Sequence, residues 1–492
     1  MRIWIAIITG KICAFASRFF GRGGGSSLPG ALARRIEPHI LKRLLDKANL
    51  TSIIITGSNG KTTTARMIAE CLRHHGLRII WNRSGANMIS GIISAVIEKC
   101  SLLGELHADA AVFEVDEANL RYIMSDIKPL VVLVTNCFRD QLDRYGEVDT
   151  ALALIRMALE DVPAGSTLIL NADDPLVASL ATASVCSAVF YGIEDPAAGS
   201  APHENAPLES GRRTDTGVDS IEPNDISEYR PQDARSCTNC GAYYKYSSVT
   251  YGHLGKYLCP VCGLSRPVPD FSAFNIEMQG NHGATFTVGF NRGGEYDFIK
   301  VSLSLPGLYN VYNCLAAISC CLVLDVPRET IEKGIASTSS AFGRMENLKI
   351  GEKNILIALV KNPVGFNEVI KTIAAEGAGK TIVACLNDNF ADGRDISWIW
   401  DVDMELLAKN PSLIKSIIAS GTRAEDLAIR LKYAGVDPEK IIVEGSLGKA
   451  LELGLQGLLP GETLYILPTY TAMLEMREHI RHKAHAREFW RA

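Results

Sequence analysis

Between Thr51 and Thr64 the chain reads Thr-Ser-Ile-Ile-Ile-Thr-Gly-Ser-Asn-Gly-Lys-Thr-Thr-Thr. Gly57 and Gly60 let a backbone approach phosphate oxygens, and the N–H groups of such a turn and of the helix start behind it point at an anion. Asn59 lies inside the turn. Lys61 is long enough to reach terminal phosphates, and the Thr62 hydroxyl, with Thr63 behind it, suits a magnesium ion. Gly57 stands only three residues before Gly60, so the loop is shorter than the general G-x-x-x-x-G-K-[ST] pattern. The chemistry implied is nucleoside triphosphate binding. A second group follows at Asp109-Ala-Ala-Val-Phe-Glu-Val-Asp-Glu117, where Glu114 falls at the end of an apolar run and can hold magnesium directly or through water. Glu117 reads instead as part of a solvated acidic turn. A third group is Cys237-Thr-Asn-Cys240 and Cys259-Pro-Val-Cys262, two C-x-x-C pairs 18 residues apart, followed by Gly241 and Gly263. That spacing is a four-thiolate zinc pattern, and with no open ligand position the metal is structural.

These groups need a scaffold. Ser52–Thr56 is β-branched and apolar, as a strand buried on both faces must be, and Lys61 opens a helix through Met67, Ile68 and Leu72. Ala31–Ala48 reads as a helix leading into that strand. Leu77–Trp81, Asp109–Glu117 with its three terminal carboxylates, Leu130–Thr135, Gly165–Pro175 as strand plus turn, and Val189–Gly192 read as strands alternating with helices at 89–100 and 151–159, which predicts a parallel sheet covered on both faces. Carboxylates past a strand's C-terminal end then fall in the ligand crevice. The loop Asn82–Met88 is polar, of a kind that carries function. Glu194–Arg235 is rich in Pro, Gly, Ser and acidic residues and predicts a flexible insertion. The tyrosines 243, 244, 246 and 251 suit a small ribbon hairpin around the cysteines. Ala284–Gly289 and Asp297–Leu303 read as paired strands returning to the sheet. In Leu305–Ala317, a loop entering a helix, Asn310 and Asn313 either cap the helix or present an amide to a base. Arg344 is the strong cation of the turn Ala341–Glu346. From Asn347 a further α/β unit alternates strands at 354–360, 381–386, 416–420, 440–443 and 463–467 with helices.

At 492 residues the chain needs several domains. We divide it into an N-terminal helical segment, 1–50; a nucleotide-binding central domain, 51–346, holding the insertion 194–235 and the ribbon 236–268; and a C-terminal Rossmann-like α/β domain, 347–492. A net charge of −5 argues against nucleic acid as a partner. The 13 cysteines, mostly isolated in apolar segments, indicate a reducing compartment and place the chain in the cytoplasm. Met1–Phe20 is apolar but interrupted by Lys11 and Arg18, too short and too charged to span a bilayer. It reads as a first helix packed on the domain, with an interfacial helix using Ile3, Trp4 and Phe20 as the alternative.

Taken together, Thr56–Thr63, Glu114, Asn136 with Asp140-Gln-Leu-Asp143, Asn171-Ala-Asp-Asp-Pro175, Asn310–Asn313 and Gly343-Arg-Met-Glu346 resemble the motifs of the Mur ligases, in the same order, and of the related folylpolyglutamate synthases. With the four-cysteine ribbon, the stretch Asp392-Gly-Arg-Asp-Ile-Ser-Trp-Ile-Trp-Asp401 and the turn Pro468-Thr-Tyr-Thr-Ala472, the chain resembles over almost its whole length the MurT-type subunits of lipid II isoglutaminyl synthases. The resemblance implies a Mur-type α/β fold and ATP-dependent amidation of the D-glutamate α-carboxyl in the lipid II stem peptide, through an acyl phosphate, at the inner face of the membrane. Lys61 and magnesium would neutralise the transferring phosphoryl group, Thr62 and Glu114 would hold the metal, Arg344 would steady the γ-phosphate, and Asn313 would lie near the adenine. Gln141 stands where many Mur ligases carry histidine, which suits ammonia as acceptor. The alternatives are an amino-acid-adding ligase of the same family and a zinc-ribbon regulatory NTPase.

No Cys-His pair stands in a nucleophile context, so the resemblance also implies a GatD-type glutamine amidotransferase subunit as partner in a heterodimer. In such complexes the carboxylate that orients the glutaminase histidine is thought to come from the ligase subunit. The candidates are Asp388, directly after a strand, then Asp392 and Asp395, beside Trp398 and Trp400 as interface anchors. For Asp401, capping of a helix is an equal reading.

Overall fold

The computed structural model describes residues 2–19, 27–48, 50–82, 86–139, 148–198, 233–338, 344–374, 377, 379–410 and 412–484. The segments Arg83–Gly85 and Asp140–Asp143, Gly343, the side chain of Arg344, and residues 199–232 of the expected insertion lie outside that description.

Three helices come first: α1 (Arg2–Phe19), α2 (Leu28–Ile36) and α3 (Ile40–Leu45). The single helix expected over Ala31–Ala48 is broken, because Glu37 precedes Pro38 and takes an extended backbone (φ −130, ψ 95). Proline's ring disfavours helical geometry in the residue before it.

The large sheet is built from β1 (Thr51–Thr56), β2 (Ile79–Trp81), β3 (Ala110–Glu114), β4 (Val131–Val134), β5 (Thr167–Asn171), β6 (Ser187–Ile193), β9 (Phe271–Met278), β10 (Ala284–Arg292) and β11 (Glu295–Leu303), in the order β11-β10-β9-β6-β5-β4-β1-β3-β2. From β2 to β9 neighbours run parallel, and β9, β10 and β11 are antiparallel. Helices α4 (Lys61–His74), α5 (Ile89–Lys99), α6 (Leu120–Asp126), Val148–Leu159 and Leu308–Val323 accompany these strands. Ile53, Ile54 and Ile55 are all fully buried, which requires cover on both faces of β1. Strand β9 is an addition to the expected strands. Its alternation of apolar and polar residues is interrupted at Asn275, which sits at φ +53 beside a bulge opposite Thr285–Thr287.

β7 (Lys245–Tyr251) and β8 (Leu254–Leu258) form a separate antiparallel hairpin. A second sheet contains β12 (Arg344–Ile350), β13 (Lys353–Ala358), β14 (Lys380–Cys385), β15 (Ile414–Ser420), β16 (Ile441–Val443) and β17 (Thr463–Pro468), ordered β12-β13-β17-β14-β15-β16. Only its edge strand β12 is antiparallel. Arg344 therefore opens a strand of this sheet and does not sit in a turn.

Candidate functional site

β1 lies between β3 and β4, so the C-terminal ends of these three strands converge where the strand order reverses. The loop after β1 needs both its glycines: Gly57 has φ +117 and Gly60 has φ +87. Space forbids a side chain as well. A Cβ on Gly57 would stand 2.4 Å from Thr135 Oγ1, and one on Gly60 would stand 2.0 Å from Asn313 Oδ1. The loop is thus a tight backbone curve built on glycines, of the kind that receives phosphate.

The loop is fastened from the β4 side. Asn59 N–H donates to Asn136 Oδ1 (2.9 Å), and Asn136 Nδ2 donates back to Asn59 O (3.1 Å). Thr135 Oγ1 donates to Asn59 O (2.7 Å), while Ser58 Oγ donates to Phe138 O (2.8 Å) and accepts from Phe138 N (2.9 Å). Asn136 therefore acts as a brace for the loop.

Lys61 begins α4, and its side chain is buried. Its ammonium donates to Gly57 O and pairs with Glu117 Oε1 at 2.8 Å. This corrects the reading of Glu117 as a solvated acidic residue. Asp116 caps the short turn Glu117–Asn119 by accepting from Ala118 N, and that turn folds Glu117 back over the loop. Glu114, at the end of β3, is buried too, with its backbone gripped by Asn82, whose Nδ2 donates to Glu114 O (2.7 Å) and whose Oδ1 accepts from Glu114 N (3.0 Å). Asn82, foreseen in a loop of functional character, thus has a bracing role. Thr62 is half-buried and Thr63 buried. A hydroxyl and a carboxylate are hard oxygen donors of the kind magnesium takes.

Asn310 and Asn313 lie inside the helix Leu308–Val323, so neither is its N-cap, which is Gly307. Asn310 donates to Pro306 O (2.7 Å) and accepts from Asn313 Nδ2 (3.1 Å). Asn313 is held against Gly60, where a Cβ would stand 2.0 Å from its Oδ1.

Two residues without an assigned role at the sequence level also reach the loop. After β13, Lys361 Nζ donates to Ser58 O (3.3 Å) and Asn362 Nδ2 to Asn59 Oδ1 (3.1 Å). A lysine and asparagine directly following a parallel strand were the available signal. The second sheet thus delivers a cation and an amide to the cradle of the first.

The cysteines converge. Sγ atoms of Cys237, Cys240, Cys259 and Cys262 all lie within 4.8 Å of one another, with 3.5 Å between Cys237 and Cys262 and between Cys240 and Cys259. A tetrahedron of sulfurs at the Zn–S distance has edges of about 3.8 Å, so the donor set fits zinc. Gly241 and Gly263, both at φ +76, turn their N–H groups back to Cys237 O and Cys259 O.

The other end of the hairpin enters the core. Tyr251, His253 and Leu254 are buried, Tyr251 lies 5.6 Å from Phe138 and 5.5 Å from Tyr312 between ring centroids, and the His253 ring packs tilted against Phe138 at 4.7 Å. His253 Nε2 is 3.1 Å from Asp174 Oδ1, and Asp174 Oδ2 accepts from Cys137 N (2.8 Å). Asp174 also caps the turn at Pro175, and neighbouring Asp173 accepts from Tyr312 (2.5 Å), Ile193 N (2.9 Å) and Arg266 (2.5 Å). Both aspartates are structural nodes tying ribbon, helix and loop together. Burial favours neutral His253, but Asp174 outweighs it and holds the imidazole above its ordinary range. A raised folded value means the pair stabilises the fold fully below about pH 6.5 and loses that contribution as pH rises through the folded value. His253→Gln should therefore lower thermal stability by about 2 kcal/mol in acid. The gap to the wild type should narrow with rising pH in melting curves from pH 5.5 to 9; a gap that widens would contradict the assignment.

Of the loop aspartates, Asp388 is partly exposed, accepts from Thr422 Oγ1 (2.8 Å) and lies 3.6 Å from Arg423. Asp392 is buried and accepts from Thr471 N (2.7 Å) and Thr471 Oγ1. Burial pushes its carboxyl up, against those hydrogen bonds. Asp395 accepts from Ser397 N (2.8 Å) at the start of the turn Ser397–Asp401, whereas Asp401 ends that turn and meets Arg139 at 3.4 Å. Trp398 packs against Phe366, and the half-exposed Trp400 packs against Tyr433 and Arg430.

Two family models match the chain: the Mur ligase middle domain over residues 55–220 and the MurT ligase C-terminal domain over residues 359–473. The lipid II isoglutaminyl synthase (glutamine-hydrolyzing) subunit MurT of Staphylococcus aureus (strain COL) is 35% identical over 98% of this chain and 98% of its own. The protein of the same description from Streptococcus pneumoniae (strain ATCC BAA-255 / R6) is 33% identical over 97% of each. Among solved structures, a pseudomurein peptide ligase type C from Methanothermus fervidus superposes with a TM-score of 0.62 at 23% identity, covering 89% of this chain and 80% of that one, a likeness of fold.

Proposed function

We propose, from the premise that this chain belongs to the MurT family of Mur-type ligases, that it amidates the α-carboxyl of D-glutamate in the lipid II stem peptide, giving D-isoglutamine. The single observation that carries this reading is 35% identity to a MurT subunit over 98% of this chain. In this reaction the carboxylate attacks the γ-phosphorus of ATP, ADP leaves, ammonia attacks the acyl phosphate carbon, and phosphate departs.

The cradle Gly57–Gly60 binds the phosphates through backbone N–H groups, and its bracing by Asn136 and Thr135 keeps it from reorganising as charge moves. Magnesium, when bound, neutralises phosphate charge; Thr62 and Glu114 are the residues that would hold it. Lys61 leaves Glu117 for the phosphates when nucleotide enters, so Glu117 stores the lysine in place beforehand. Lys361 adds a second cation from the C-terminal unit, and Arg344 is the family's candidate for the γ-phosphate. Asn313, against Gly60, orients the nucleotide. Zinc on Cys237, Cys240, Cys259 and Cys262 supplies structure, holding the ribbon whose tip supports the loop.

Ammonia comes from a glutamine amidotransferase subunit bound as a heterodimer, and a carboxylate of this chain orients that subunit's histidine. Asp388 suits the role better than its neighbours: its carboxylate is accessible and held from below by Thr422, while Asp392 is committed to Thr471 and Asp395 to a turn. Asp388→Asn should lower glutamine hydrolysis by the reconstituted complex about 10²-fold or more, yet leave amidation with supplied ammonium near wild type. Should Asp388→Asn, Asp392→Asn and Asp395→Asn all keep full glutaminase activity, the shared site is wrong. The overall reading is tested by supplying lipid II, ATP and either glutamine with the partner subunit, ammonium alone, or free amino acids. Amidated lipid II from the first two supports it, and product only with an amino acid would replace it with an amino-acid-adding ligase.

A further inference from the structure

The outer face of α1 is apolar where solvent should select polar side chains. Trp4, Ile5, Ile8, Ile12 (63% exposed) and Phe15 (71% exposed) are turned outward. At about 100° per residue these five fall within one arc of about 100°, with no charged residue inside it. The opposite face is what fixes the helix to the protein. Ala6, Ile7 and Gly10 are buried there, and a Cβ on Gly10 would come within 3.0 Å of Ile97 Cδ1 on α5. The stripe is therefore presented by a docked helix.

A second segment extends it. Leu102 and Leu103 are exposed at the turn after α5. The next residue, Gly104, abuts α1 and α3, since a Cβ there would lie 3.3 Å from Ile7 Cδ1 and 3.4 Å from Leu44 Cδ2. Charge completes the pattern. Residues 1–50 carry nine Arg and Lys against two carboxylates, in a chain whose net charge is −5. One of those two carboxylates, Glu37, is buried and pairs with Arg43 at 2.9 Å. Arg2, Arg34, Arg35 and Lys42 are exposed on the same three helices, and Lys47 is exposed just after the third. Among the described residues, no helix is long and apolar enough to cross a membrane.

We infer that α1, with Leu102 and Leu103, is an interfacial membrane-binding surface that seats the protein on anionic lipid. An apolar stripe on a fixed helix partitions into the headgroup–acyl boundary, and exposed Arg and Lys of the N-terminal segment are drawn to anionic headgroups. Charge separates this occupant from a second copy of the chain: two strongly basic segments repel each other, whereas an anionic bilayer attracts both. The inference deepens the proposed function by explaining how the proposed catalyst reaches a lipid-linked substrate. It rests on that reading only for its purpose.

The test uses the full chain with vesicles of phosphatidylcholine alone or of equal parts phosphatidylcholine and phosphatidylglycerol, without substrate. Wild type should co-sediment with the anionic vesicles, at least about tenfold more than with the neutral ones, and high salt should reverse it. Ile8→Glu/Ile12→Glu should lose that binding by about tenfold or more with an unchanged melting temperature, since both side chains face solvent. Val185→Glu, at another exposed apolar position, should bind as wild type. Equal sedimentation of wild type and the double variant would overturn the inference. So would a solution dimer that the double variant dissolves, together with no vesicle binding. In a separate arm, the double variant should amidate vesicle-borne lipid II more slowly than a soluble precursor lacking the lipid. Loss of amidation on every substrate by wild type would fail the functional reading and leave the vesicle result standing on its own.

Discussion

Lys61→Ala is expected to reduce amidation by about 10²–10³-fold or more at saturating ATP, with partner and lipid II present. The lysine sits at the first turn of α4, directly behind the Gly57–Gly60 curve, and its charge is buried. In a water-poor site a fixed cation stabilises a transferring phosphoryl group far more than it would in bulk solvent. The structure adds a consequence absent from the motif. Glu117 is buried against Lys61, so truncating the lysine strands a carboxylate, and breaking such a pair costs about 3–5 kcal/mol. Lys61→Ala should therefore be both inactive and less stable. Adding Glu117→Gln should recover most of the stability and none of the activity. Melting curves and amidation rates of the single and double variants separate the two roles. Full activity in Lys61→Ala would remove the nucleotide assignment, and equal stability of single and double variants would remove the pairing argument.

Loss of zinc is expected to have the second largest effect. Protein purified under reducing conditions should contain one zinc per chain, and Cys237→Ser or Cys262→Ser should lose it. Structural zinc sites contribute on the order of 10 kcal/mol of folding free energy to isolated ribbons. Here the damage should not stay in the ribbon. The same hairpin that carries the cysteines puts Tyr251 and His253 against Phe138, whose backbone is hydrogen-bonded to Ser58 of the cradle. Chelation or a cysteine variant should therefore also weaken ATP binding, by about tenfold for each 1.4 kcal/mol of lost bracing. Zinc analysis, thermal unfolding and nucleotide titration together check this. No zinc in the wild type would refute the site, and zinc loss with unchanged ATP affinity would refute the coupling.

Local patterns were legible before any tertiary contact was known. The strand–loop–helix around Lys61 lies where its residues place it, because a β-branched run, two glycines and a helix start act within 14 residues of chain. The four cysteines converge because each pair is held by its own tight turn and the hairpin between them is short. The parallel strands of the second sheet were readable from apolar runs flanked by turn residues. The break at Pro38 was also local, and the apolar spacing of Ile36, Ile40, Leu41 and Leu44 masked it by continuing a helical period across the proline.

Other roles depended on contacts that chain neighbours cannot specify. Glu117 looks solvated from its acidic surroundings, and only the return of its turn over α4 pairs it with Lys61, 56 residues earlier. Asn136 became a brace because β4 lies beside β1, and Lys361 and Asn362 reach the cradle across 303 residues of sequence. His253 and Asp174 meet because the ribbon tip inserts beside Phe138. The sequence by itself determined which residues could bind phosphate and metal, since backbone permissiveness and ligand chemistry are properties of residue types. Tertiary structure alone decided which charges are paired and buried, because a carboxylate's or an ammonium's state is set by the dielectric and partners that packing brings to it.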